Sequence, residues 1–83
     1  MRAIFKYGLK LGLNLIEMPS GAEVKTVADQ FGAVTMWAEV DSDAEPEKRT
    51  FDVYGTGLPI PAGLEYVGTA FCGPFVWHVY EQA

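Results

Sequence analysis

Eighty-three residues with a formal net charge of −5, a single cysteine and 49% hydrophobic content describe one domain, residues 1–83, with no room for a second core. The acidic balance argues against direct binding to DNA or RNA or to an anionic membrane, each of which needs a basic face, and the lone Cys72 excludes an intrachain disulfide. No apolar run approaches the ~20 residues of a membrane span and nothing at the N-terminus resembles a signal peptide, so the setting expected is soluble, reducing and cytoplasmic.

The first segment, residues 2–11, alternates Phe5, Tyr7, Leu9 and Leu11 against Ile4, Lys6, Gly8 and Lys10, the period-2 pattern of a strand with an aromatic-aliphatic inner face. A turn is expected between Gly8 and Gly12, then a second strand at Leu15–Met18. A short helix over 6–16 competes, weakened by two glycines and no strong N-cap. Pro19-Ser20-Gly21 reads as a turn. In the following Glu23–Phe31 segment Val24 and Val27 are three apart; a β-bulge is favoured over one helical turn. Phe31-Gly32 closes that strand into a hairpin with Ala33–Val40, where Val34, Met36, Ala38 and Val40 share one face and Thr35, Trp37 and Glu39 the other. Residues 41–47 form an acidic loop.

The chain is organised around the next stretch, Arg49 to Pro61. Phe51 and Val53 alternate with Thr50, Asp52 and Tyr54, a half-buried strand. Gly55 and Gly57 then permit backbone that a Cβ would forbid, and Pro59 and Pro61 stop the strand from continuing. Beyond this corner come Leu64–Cys72, with Gly68 marking a bend, a bulge or close approach of another backbone, and a Gly73-Pro74 turn. The last strand, Phe75–Glu81, is bulky on both faces, so it is either buried on two sides or buried on one and covered by a partner. Six to seven short strands at turn spacings of 8–12 residues predict an all-β fold, a small antiparallel β-sandwich or barrel. Eleven aromatics are generous for so short a chain. Apolar surface should therefore be left over, and a homo-oligomer is expected.

Tyr7, Pro19-Ser-Gly-Ala22, Met36-Trp-Ala-Glu-Val-Asp41, the Gly55-Thr-Gly57 corner with Pro59-Ile-Pro61, Leu64-Glu-Tyr-Val-Gly-Thr69 and Val76-Trp-His-Val-Tyr-Glu81 together form a pattern. It resembles a family of small phage and prophage proteins of unknown function, over nearly the whole chain. Met18 stands where that family has leucine and Gly8 where it commonly has proline. The resemblance implies phage origin and an early or accessory role, and with it residence in the host cytoplasm. It brings no catalytic residues.

The chemistry-bearing residues are few. Gly55-Thr56-Gly57 could cradle a phosphate with backbone N–H groups, but lacks the lysine, further glycines and helix of a nucleotide-binding loop; a structural corner is the plain reading. The nearest cations in sequence, Lys48 and Arg49, lie ~20 Å away along an extended strand. His78, the only histidine, has no second ligand or triad spacing, and Cys72 reads as a packed residue. If the strands carrying them pair, Trp37, Glu39, Asp52 and Tyr54 form an aromatic and acidic patch able to meet a second subunit, a nucleobase or a host protein. Glu39 and Asp52 would then face each other, though nothing marks either as a general acid. The candidate ligand- or partner-binding residues are therefore Trp37, Glu39, Arg49, Asp52, Tyr54, Gly55, Thr56, Gly57 and His78, with no catalytic residue, metal or cofactor. The function expected is non-enzymatic: antagonism of a host defence, by sequestering a nucleotide-type signal or blocking a defence protein. The alternatives are a virion structural or assembly role and an acidic nucleic-acid mimic.

Overall fold

Alternation sorts the apolar residues of each segment onto one side, and in the computed structural model, which covers residues 1–83, those sides face one another across two antiparallel sheets. The strands are β1 (Arg2–Gly8), β2 (Gly12–Pro19), β3 (Glu23–Gln30), β4 (Ala33–Asp41), β5 (Pro46–Gly55), β6 (Leu64–Cys72) and β7 (Phe75–Gln82). One sheet has three strands in the order β1-β4-β3, the other four in the order β2-β5-β7-β6. The fold is an all-β sandwich. Met36, Ala38 and Val40 of β4 pack between the sheets with Met18 of β2, Phe51 and Val53 of β5 and Val79 of β7.

Several expectations at the chain's turns are met in detail. The pairing of β3 with β4 slips between Val24 and Thr26, so the irregular valine spacing is a bulge. Pairing of β6 with β7 slips between Tyr66 and Gly68, and Gly68 also lies where β6 passes closest to β3. Phe31 and Gly32, at φ 53° and 81°, form the two-residue turn between β3 and β4.

Other boundaries move. The first strand ends at Gly8 rather than continuing to residue 11, yet Leu9 still turns into the core while Leu11 is exposed. No helix forms there, and β2 begins at Gly12, three residues earlier than expected. The reason is Asn14, whose side chain ties down the connection: its Oδ1 accepts from the Lys10 N–H at 2.9 Å, and its Nδ2 donates to the carbonyls of Lys10 and Gly12 at 2.9 and 3.0 Å. The acidic loop is shorter than 41–47, because Asp41 still pairs with Arg2 and Pro46 with Pro19.

The largest departure is topological. β4 and β5 do not pair; they belong to different sheets. Trp37 and Glu39 lie on the outer face of the three-stranded sheet, Asp52 and Tyr54 on the outer face of the four-stranded one. The four-residue patch therefore does not exist, and Glu39 and Asp52 cannot act as a carboxylate pair.

Candidate functional site

The two outer faces differ in chemistry. On the three-stranded sheet Arg2 pairs with Glu39, Lys25 with Glu23 at 3.0 Å, and Lys6 donates to Gln30 at 2.8 Å. Half-buried Trp37 sits among these groups on a face built for water. Arg49 is also consumed internally. Its Nε and Nη2 donate to the two carboxylate oxygens of Glu81 at 2.6 and 2.9 Å, and its Nη1 donates to the Ala22 carbonyl at 2.6 Å. The guanidinium is then 5.6 Å from the centre of the Phe51 ring, and the Glu81 hydrogen bonds, ahead of opposing desolvation, hold its pKa above the ordinary value. It is a brace between β5, β7 and the β2–β3 turn, away from the glycine corner at the other end of the strand, as the extended spacing implied.

The remaining predicted residues do meet. Register places Tyr54 opposite His78 and Asp52 opposite Tyr80, so side chains of β5 and β7 stand together on the outer face of the four-stranded sheet. The chain leaving β5 turns at Gly55, with Leu58 N–H donating to Gly55 O at 3.2 Å and Gly57 at φ 93°. That turn sets Thr56 Oγ1 2.8 Å from His78 Nε2. The other ring nitrogen, Nδ1, is 3.2 Å from Thr69 Oγ1, which lies 2.6 Å from the Tyr66 hydroxyl. A polar relay thus runs Thr56–His78–Thr69–Tyr66 across three structural elements. Beside it Tyr80 packs edge-on against Tyr54 and Tyr66, with ring centres 6.0 and 5.5 Å apart. Desolvation, and then the negative charge of Asp52, raises the pKa of Tyr54. Asp52 itself is buried and accepts from Gln82 Nε2 at 3.2 Å.

The corner segment passes over this face and borders an open recess of about 200 Å³ lined by Gly55, Thr56, Gly57, Leu58, Ile60, His78 and Tyr80. On its other side, Gly55 and Thr56 border a shallow depression of about 480 Å³ walled by Phe75 and Trp77, whose rings stack at 5.7 Å. The N–H groups of Thr56 and Gly57 have no acceptor within the chain, so both can donate to a ligand. No carboxylate or ammonium lines the recess. The site offers donors, a hydroxyl–imidazole pair and apolar walls, and no cluster of three or more His, Cys, Asp or Glu side chains that could hold a metal is present anywhere in the chain.

The family model described as a domain of unknown function (DUF7352) matches residues 1–83. The chain belongs to this family. No curated protein and no solved structure matches it. In this DUF7352 chain the residues of the glycine corner and the C-terminal strand are brought together, whereas Trp37, Glu39 and Arg49 are elsewhere. Tyr66, Thr69 and Tyr80 belong with the site and were not among the residues singled out in the sequence: the bulge at Gly68 hides which residues of β6 share a face with β7, whereas Tyr80 was visible by its alternation with His78.

Proposed function

We propose that this protein is a non-enzymatic phage accessory protein that acts by binding, and that it antagonises a host defence by sequestering a nucleotide-type signal. The observation that carries this reading is the recess between the Gly55–Ile60 corner and the His78–Tyr80 segment. Its lining includes Thr56 and Gly57, whose N–H groups have no acceptor within the chain and lie in a tight turn, an arrangement suited to an acceptor-rich anion of low charge such as a phosphodiester. Tyr80 and the Thr56–His78 pair supply an aromatic wall and polar contacts for a base or a ribose. With Arg49 engaged by Glu81, no nearby cation favours a highly charged phosphate. The non-enzymatic reading is supported by the partners of His78, which are threonine hydroxyls rather than a carboxylate that would orient a catalytic base.

Titration calorimetry with a panel of cyclic and ADP-ribose-type nucleotides tests the proposal. Heat is expected with at least one cyclic nucleotide, and Thr56→Val, which removes the hydroxyl and keeps the N–H, should weaken that binding about fivefold, the worth of one neutral hydrogen bond. Absence of heat across the panel, with folded protein, would remove the sequestration reading.

A second reading, occlusion of a defence protein, is favoured by the aromatic outer face itself. The nucleic-acid mimic has less support, because Asp41 and Asp43 bind the Met1 ammonium, Glu39 binds Arg2 and Glu81 binds Arg49.

A further inference from the structure

The outer face of an antiparallel sheet exposed to water ordinarily carries polar side chains. The four-stranded sheet breaks that rule. Leu13 and Leu15 of β2, Tyr80 and Val76 of β7, and Tyr66 and Phe71 of β6 all stand on its outer side, at register positions opposite or beside Asp52, Thr50 and His78. Leu15 is 69% exposed and Phe71 73% exposed, at opposite edges of the sheet. Only 16 of the 83 residues are buried, so the chain's own core leaves much of its apolar content unspent.

We infer that this face, together with the corner segment that crosses it at β7, is the isologous interface of a homodimer, with the exposed side chains of β2 and β6 meeting the second copy. Charge selects the occupant. The chain carries −5, so a second copy is repelled wherever carboxylates are exposed. The middle of this face has one ionisable acid, Asp52, and it is buried beneath Gln82. Ion pairs of the sheet surfaces are concentrated on the opposite, three-stranded side. At its β2–β5 end stand Glu17 and Lys48, exposed, opposite each other in register and of opposite sign, so apart from the buried Asp52 the face has no net charge to repel an acidic copy of the same chain.

Area agrees. The molecule is a slab of 39 × 30 × 16 Å, and the four-stranded sheet occupies one broad side. Four strands of eight to ten residues project roughly 600 Å² at ordinary strand spacing. Protruding side chains bring the accessible area toward the ~800 Å² per partner of a stable interface. The last strand is bulky on both faces because Val79 fills the core while Tyr80 packs on Tyr54 and Tyr66 beside the corner segment, which leaves the more exposed Leu15, Tyr66 and Phe71 for a second copy. Because His78 and Tyr80 also line the corner recess, a second copy would stand at its rim.

The inference gives a location to the expected oligomer and does not depend on any ligand in the recess. Sedimentation of the full chain across micromolar concentrations should give twice the 9.1 kDa chain mass. Leu15→Lys and Phe71→Lys should each shift the protein to 9.1 kDa while circular dichroism keeps the β spectrum. Lysine lowers the net negative charge, so dissociation reflects a buried ammonium rather than general repulsion. Ile4→Lys, on the opposite outer face, should leave the dimer intact. A folded wild-type monomer at every concentration overturns the inference, as does a dimer that survives both β2 and β6 substitutions. Because calorimetry reads the recess and sedimentation reads the face, failure of one is distinguishable from failure of the other.

Discussion

Gly68 and Val27 meet where the two sheets come together: a Cβ built on Gly68 would lie 2.8 Å from Cγ2 of Val27 and 2.9 Å from its Cβ. No real side chain tolerates both distances. The bulge before Gly68 carries β6 across the edge strand β3, and the missing side chain permits the approach. Gly68→Ala should therefore destabilise the protein by about 1–3 kcal/mol, the usual cost of overpacking. Val27→Ala in the same background should recover only part of the loss, since the Cβ contact remains. Urea midpoints of the two variants and the double mutant measure both effects.

Arg49 makes a second such tie, charged rather than apolar. Its fork spans both oxygens of Glu81 and reaches the Ala22 carbonyl, joining β5 to β7 and to the start of β3. Lysine cannot reproduce three bonds in fixed directions. Arg49→Lys should cost about 2 kcal/mol, in the range for hydrogen bonds to charged groups, and Glu81→Gln a similar amount. The double mutant should be less than additive, because each single change already breaks the same bond. Chemical denaturation of the four proteins closes that cycle.

Asn14 is buried with 5% of its surface exposed, yet its neighbours in sequence are leucines that point to the other face. It satisfies the Lys10 N–H and carbonyl, which the β1–β2 connection would otherwise leave unpaired. Asn14→Leu should destabilise by about 1–3 kcal/mol despite the gain in apolar character, because those backbone groups lose their partners. Asn14→Asp should be at least as damaging, since a carboxylate would face three carbonyls. Thermal melts at neutral pH check both.

The strands with clean alternation were legible in the sequence. Val34 to Val40 and Phe51 to Val53 announce their inner faces, and the core follows from them. The sheet assignment was not legible, because alternation identifies a face but says nothing about which strand lies beside it. Trp37 and Tyr54 look equivalent in their own strands and end on opposite sides of the molecule. Arg49 likewise reads as an outlying cation until the fold brings Glu81, 32 residues away, against it. The corner was visible as glycines and prolines; its contact with His78 arises because β5 and β6 flank β7, so the connection between them must cross β7.

Alkaline pH should weaken the fold through two acids, the buried Cys72 and the half-buried Tyr7. Burial, reinforced by a hydrogen bond to Asp29 and that group's charge, raises the Cys72 thiol above its ordinary value of 9.0. Burial also raises Tyr7 above its ordinary 10.0, against an opposing pull from Arg49. In both cases the unfolded chain ionises first. Their contribution is complete below those ordinary values and is lost as pH rises toward and through the folded-state pKa values. The fall in Tm from pH 7 to about 10.5 should be smaller in Cys72→Ala and Tyr7→Phe than in the parent. Equal slopes in all three proteins would remove these groups as the cause.

Phe31 occupies the first position of the β3–β4 turn at φ 53°, with 98% of its surface exposed. An aromatic side chain gains nothing there from burial and bears the strain of the left-handed region, which asparagine accommodates far better. Phe31-Gly32 is therefore a strained version of the Asn-Gly turn preferred by two-residue hairpins. Phe31→Asn should raise stability by about 1 kcal/mol and leave the β spectrum unchanged. It should also leave the sedimentation of the dimer unaltered, because the turn lies on the three-stranded sheet and not on the tyrosine face. A loss of stability on this substitution would instead mean that the exposed ring is held by a contact made outside the single chain.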